Sequence, residues 1–262
     1  MDLNLTGKNA IVCGSTQGLG FASAIELALL GANVTLVARN EEKLKEAVAK
    51  LDTSKQQQHN YFVADFQFPE EVKSAVEKHL AKHPEANILV NNTGGPKGGS
   101  AMDAATDEYL QAFNSHLICN QILVQAVLPS MKASGYGRII NIISISVKQP
   151  VPGLGVSNTI RGAVASWSKT LANELGQFGI TVNNVLPGYT KTSRLDSLMD
   201  SKSSATGMPV EEIEKDYIAD IPAKRIGRAE EFGAAVAFLC TPAAAYINGI
   251  NLPVDGGRLQ TL

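Results

Sequence analysis

The chain has 262 residues, a net charge of −2 and 44% hydrophobic residues. That length suits one large domain or two small ones, and the apolar fraction is ample for a buried core. The near-neutral balance and the scattered Lys and Arg argue against a basic patch, so neither nucleic acid nor a membrane surface is expected as a partner. From the N-terminus, the first apolar run is Ala10–Cys13, followed by the glycine-rich GSTQGLG at 14–20. A helical pattern over Leu19–Leu30 puts Ala22, Ile25, Ala28 and Leu29 on one side, and Gly31 suits its stop. Val34–Ala38 then reads as a strand, Glu41–Leu51 as a helix, Tyr61–Ala64 as a strand, Glu70–Ala81 as a helix and Ile88–Val90 as a strand. A long helix over Asp107–Met131 precedes a strand at Arg138–Ser144, a helix at Ser157–Leu175 and a strand at Thr181–Leu186. Ala229–Leu239 reads as the last helix and Ile250–Val254 as the last strand.

The strands are short, rich in Val and Ile, and mostly lack alternation, as parallel strands buried on both faces should. Strand and helix alternate along 1–262, which predicts a single α/β domain: a Rossmann fold with a doubly wound parallel sheet of about seven strands and helices on both faces. The least regular stretch is 188–222, with small polar residues and a short helical pattern near Val210–Ile218. An insertion after a late strand predicts a substrate loop or lid, because ligands in such folds sit beyond the carboxyl ends of the strands. The start lacks a basic n-region and an apolar h-region, and no run of about 18 apolar residues occurs, so a cytoplasmic protein is expected. Cys13, Cys119 and Cys240 are far apart and lack CxxC spacing; buried reduced thiols are expected, with neither disulfide nor metal site.

Gly14, Gly18 and Gly20 follow GxxxGxG spacing directly after the first strand. A tight turn and close backbone approach to a diphosphate require residues without a Cβ, and the helix beginning at Leu19 offers free N–H groups and the positive end of its dipole. The second strand ends in Arg39, where an acid would hydrogen-bond a ribose 2′-hydroxyl. A guanidinium there pairs with a 2′-phosphate, which favours NADP(H) over NAD(H). Ser15 and Thr16 lie close enough in sequence to add hydroxyl contacts.

Together with Asn91-Asn92-Thr93-Gly94, Asn184-Val185-Leu186-Pro187-Gly188-Tyr189-Thr190-Lys191-Thr192 and Val254-Asp255-Gly256-Gly257, these motifs resemble the short-chain dehydrogenase/reductase family in the correct order over nearly the whole chain. The nearest likeness is to its β-ketoacyl-carrier-protein-reductase-like branch. The resemblance implies that Asp65 contacts the adenine and that Asn92 and Gly94 line the cofactor. It places Pro187, Gly188, Thr190 and Thr192 against the nicotinamide amide and a phosphate. It assigns the catalytic asparagine to Asn114 and the catalytic serine to Ser144, and it implies pairing of the long helices into a dimer or tetramer.

The family's YxxxK pair is replaced in this alignment: Ser157 stands at the tyrosine position and Arg161 at the lysine position. A serine hydroxyl is a poor general acid, and arginine keeps its proton at physiological pH while still able to hold a ribose diol. Tyr189 and Lys148, on loops expected to border the pocket, are candidate substitute acids, and His116 has a suitable unperturbed pKa. The expected activity is carbonyl or alcohol oxidoreduction on a small molecule with an altered proton source. A non-catalytic dinucleotide-binding protein, or an isomerase or lyase on the same fold, stands as the alternative.

Overall fold

The computed structural model describes residues 1–261. Seven strands form one parallel sheet: β1 (Asn9–Cys13), β2 (Asn33–Ala38), β3 (Asn60–Val63), β4 (Ile88–Asn91), β5 (Gly137–Ile142), β6 (Ile180–Pro187) and β7 (Asn251–Val254). Their order is β3-β2-β1-β4-β5-β6-β7. The sheet grows one way from β1 to β3 and then the other way from β4, which opens a crevice at the carboxyl ends of β1 and β4.

Helices α1 (Gly18–Leu29), α2 (Glu41–Val48) and α9 (Ala229–Leu239) cover one face. Leu27, Leu44, Phe232 and Val236 pack there on Val12, Leu36 and Val90. Helices α3 (Pro69–Lys82), α5 (Cys119–Ser134) and α6 (Gly155–Leu175) cover the other, with Val76, Leu123, Val127 and Leu171 packed on Ile11, Leu89 and Ile139. Each fully buried Val, Leu or Ile contributes about 1.5–3 kcal/mol of apolar burial, which is why strands with apolar residues on both faces sit in the middle.

A row of asparagines crosses the sheet near its carboxyl edge. Asn91, Asn141, Asn184 and Asn251 are register partners on β4 to β7. Asn91 Nδ2 donates to Asn141 Oδ1 at 2.8 Å, Asn141 Nδ2 to Asn184 Oδ1 at 3.1 Å, and Asn184 Nδ2 to Asn251 Oδ1 at 2.8 Å. A register slip would break every link, so the ladder fixes the strands whose ends carry the site.

Most element boundaries lie within a residue or two of the sequence expectation, with four differences. The α1 stripe is rotated: Ala24, Leu27 and Ala28 are buried while Leu29 is 47% exposed. Beta-5 stops at Ile142, so Ser144 lies beyond it, capping a short 3-10 turn. The long helix expected over Asp107–Met131 is broken into α4 (Thr106–Phe113), a π-helical turn at Asn114–Ile118, and α5. The 188–222 insertion carries two helices rather than one, α7 (Ser193–Thr206) and α8 (Val210–Ala219), closed over Leu195, Met199 and Ile213. No helix among the described residues is long and apolar enough to cross a membrane, and no cluster of three potential metal ligands occurs among them.

Candidate active site

The glycine turn between β1 and α1 is shaped by contacts that leave no room for a side chain. Gly14 has φ +56°, and a Cβ on it would stand 2.7 Å from both the Nδ2 and the carbonyl oxygen of Asn92. A Cβ on Gly20 would collide with the Gly14 carbonyl and stand 2.7 Å from Asn92 Nδ2. Asn92 ties the turn down by donating to the Cys13 and Gly14 carbonyls at 3.3 and 3.1 Å. Gln17, the N-cap of α1, makes no side-chain cap, so the first N–H groups of α1, including that of Leu19, keep their charge-binding capacity. These features fit a dinucleotide diphosphate.

Thr192 borders the same turn, its Cγ2 3.6 Å from where a Gly18 Cβ would lie, and caps α7 through Leu195 N at 3.4 Å. Gln17 Nε2 donates to Ser193 Oγ at 3.1 Å, so the chain after Pro187-Gly188 closes on the cradle. Thr190 Oγ1 turns back onto the Gly188 carbonyl at 3.5 Å. Arg39 is exposed at the end of β2 and makes no ion pair among the described residues, leaving its guanidinium able to receive a phosphate. Asp65 holds the Gln67 N–H at 3.0 Å with one carboxylate oxygen. The Ser15 hydroxyl corrects one expectation. It is buried, donates to the Val12 carbonyl at 2.7 Å and accepts from Val37 N at 3.0 Å, so it knits β1 to β2 and cannot reach a 2′-phosphate. Thr16 is partly exposed and keeps that option, and Gly94 is exposed with no protein atom within 4 Å of a Cβ position.

The other half of the crevice lies at the ends of β4 and β5. Ser144 Oγ accepts from Ser146 N at 3.0 Å, which fixes the oxygen and leaves its O–H to donate to a carbonyl. Arg161, on α6, is 8% exposed and gives one N–H of its fork to the Ile142 carbonyl at 3.0 Å. Burial, with the Arg194 charge added, brings it down to about 10, still protonated at neutral pH. Ser157, one turn before it, is partly buried. Lys148 is partly buried beyond the 3-10 turn and makes no ion pair among the described residues.

Asn114 does not join this group: it opens the π-helical turn with an exposed side chain. The residue that comes inward is His116, 3% exposed, with Nδ1 2.5 Å from Thr93 Oγ1. Burial, reinforced by the Arg161 charge, holds its imidazole well below the usual range, so it is neutral. Within this π-helical turn His116 is buried and Asn114 is exposed. A signal was present in the sequence: His116, Cys119, Asn120 and Leu123 follow i, i+3, i+4, i+7 spacing, and all four are buried.

Tyr189 is likewise engaged elsewhere. Its hydroxyl accepts from Arg258 Nη2 at 2.9 Å and its ring stacks on Tyr217 at 4.0 Å, with the Arg258 guanidinium on it at 4.0 Å. Burial raises its pKa against the opposing pull of Arg258. A phenol made less acidic and packed with the α7–α8 cluster is a poor substitute acid.

Residues 14–258 match the family described as enoyl-(acyl carrier protein) reductase. The chain is 33% identical over 253 residues to the 3-oxoacyl-[acyl-carrier-protein] reductase FabG of Haemophilus influenzae, covering 97% of this chain and 98% of that protein. It is 30% identical over 266 residues to the uncharacterized oxidoreductase YvaG of Bacillus subtilis, over the full length of both. Among solved structures, L-sorbose reductase from Gluconobacter frateurii, complexed with NADPH and L-sorbose, superposes with a TM-score of 0.93 at 32% identity over all of both chains.

Proposed function

Because this chain belongs to the short-chain dehydrogenase/reductase family, we propose that it is an NADP(H)-dependent oxidoreductase acting on a carbonyl or alcohol, 3-oxoacyl-reductase-like in its frame, with a rebuilt proton-donating side. The observation that carries the reading is the glycine cradle held by Asn92, with Arg39 at the end of β2 making no ion pair among the described residues. The cradle would hold the diphosphate of a reduced nicotinamide cofactor, which would supply the hydride. Arg39 receives the 2′-phosphate, whose charge its fork matches. Arg161 keeps free N–H groups for the nicotinamide ribose, in the place where the resemblance puts a lysine. Ser144 donates its O–H to the substrate oxygen. His116, neutral and oriented by Thr93, offers a hydrogen bond rather than a charge. Neither Ser157 nor Arg161 releases a proton readily, so the proton that converts the alkoxide to the alcohol comes from water through the hydroxyls of Ser157 and Ser144.

A reading as a dinucleotide-binding protein without turnover is favoured by one observation: the Tyr189 hydroxyl is held by Arg258 rather than free. The two separate in one experiment. NADPH binding is followed by fluorescence, then NADPH consumption over a panel of ketones, quinones and imines. Binding with consumption supports the oxidoreductase; binding with none across the panel supports the second reading. For assembly we propose a cytoplasmic dimer or tetramer paired through α4, α5 and α6, supported by the exposed Leu110 and Phe113 on α4. Sedimentation as a monomer at micromolar concentration would overturn it.

A further inference from the structure

Resting on the reading above, that this crevice works on a carbonyl, we infer that Arg258 is a positioning residue. It holds the α7–α8 insertion closed over the substrate end of the crevice. The insertion spans both lips of that crevice. Ser193 Oγ, at the start of α7, accepts from Gln17 Nε2 of the glycine turn at 3.1 Å. Arg194, beside it, donates from Nη2 to the Pro96 carbonyl on the loop after β4 at 2.9 Å. The insertion has little core of its own: the buried residues of α7 and α8 are Leu195, Met199 and Ile213.

Its back is held by a column of two rings and a cation. Tyr217, on α8, stacks on Tyr189 with ring centroids 4.0 Å apart and planes 6° from parallel. The Arg258 guanidinium lies over the Tyr189 ring at 4.0 Å and donates through Nη2 to the Tyr189 hydroxyl at 2.9 Å. Arg258 makes no ion pair among the described residues, so the ring face is what its charge meets. Asp255 places it: the two carboxylate oxygens accept from Gly257 N at 2.9 Å and from Leu259 N at 2.8 Å. Leu259 packs against the cluster of Ile143, Ile145, Val164 and Leu186, so the base of the column is anchored on the residues that flank Ser144. A ring stack, or a guanidinium on a ring, shifts an equilibrium by about two- to thirtyfold. That is enough to hold a segment with so small a core, and little enough for a substrate to open it. The cofactor keeps its glycine turn and Arg39 when the column breaks, so the loss falls on the substrate.

The test is hydrogen exchange by mass spectrometry on the parent and Arg258→Ala, with steady-state kinetics on NADPH and ethyl acetoacetate. In Arg258→Ala, amides of α7 and α8 should exchange at least about tenfold faster while β4, β5 and β6 stay within about twofold. KM for the ketone should rise about tenfold, with kcat and the KM for NADPH within about threefold of the parent. Arg258→Lys, which keeps a cation over the ring, should restore most of both changes. Tyr217→Leu breaks the same column from the α8 side and should reproduce Arg258→Ala. The double variant should be within about twofold of either single one, because both remove one device. Unchanged exchange in α7 and α8 overturns the inference. So does faster exchange that extends to β4, β5 and β6 with kcat and KM unmoved, since Arg258 would then serve the fold alone. Additive effects in the double variant overturn it as well. A parent that turns over no ketone overturns the reading beneath it, and exchange then decides the hold on α7 and α8 by itself.

Discussion

The two halves of the crevice are built on different physical terms. At the end of β1 the site is made of backbone: a turn whose glycines meet Asn92 and each other too closely for any Cβ, and a helix N-terminus left uncapped. At the ends of β4 and β5 it is made of side chains: a buried guanidinium, a neutral imidazole on a π-helical turn and hydroxyls. A backbone cradle tolerates almost no substitution, because the chain itself would have to move. A side-chain site keeps its shape while its chemistry is exchanged, and such an exchange is what Ser157 and Arg161 represent in our reading.

Four changes probe that contrast, in falling order of effect. Gly20→Ala forces a Cβ into the Gly14 carbonyl and Asn92. It should cost about 3 kcal/mol of stability and abolish NADPH binding, measured by denaturant titration and fluorescence. Arg39→Ala should weaken NADPH by about ten- to a hundredfold and leave NADH nearly unchanged, since only one of them carries the 2′-phosphate. A matched loss for both cofactors would remove Arg39 from phosphate recognition.

His116 gives a smaller, pH-dependent effect. Its pKa is lowered in the folded protein, so the unfolded chain takes up the proton first as pH falls. Its contribution is intact above about 6.5 and is lost as pH drops below that value. Melting temperature should therefore fall between neutral pH and about pH 5, and His116→Asn should flatten part of that slope. Some slope should persist from His79, lowered by burial and by His83 to about 4. An unchanged slope in the variant would mean that His116 is not held neutral. The smallest effect belongs to Tyr189→Phe, which removes a hydroxyl bound to Arg258 and should leave the pH–rate profile of any turnover unmoved. A lost acidic or basic limb would return Tyr189 to the chemistry.

The sheet was legible in the sequence because its strands are buried on both faces and read as unbroken apolar runs. The glycine cradle was legible because steric exclusion leaves only one residue type at Gly14 and Gly20. The catalytic half was less legible, for two reasons. The resemblance calls for an asparagine and so draws the assignment to Asn114, whereas burial turns His116 inward together with Cys119, Asn120 and Leu123. The α7 helix is rich in Ser and buries only Leu195 and Met199, so its stability comes from the Thr192 cap and the packing of α8 rather than from a visible stripe. The asparagine ladder was invisible because each member reads alone as an ordinary strand polar residue; only register brings Asn91, Asn141, Asn184 and Asn251 into line.

The central claim is that the cofactor half is intact while the catalytic half has been rebuilt rather than silenced. The most direct measurement is the rate of NADPH consumption by the parent and by the double variant Ser157→Tyr, Arg161→Lys over one ketone panel. The account predicts turnover by the parent and no gain in the double variant, whose lysine would replace the buried fork on Ile142. A silent parent that becomes a reductase on restoring tyrosine and lysine would contradict it.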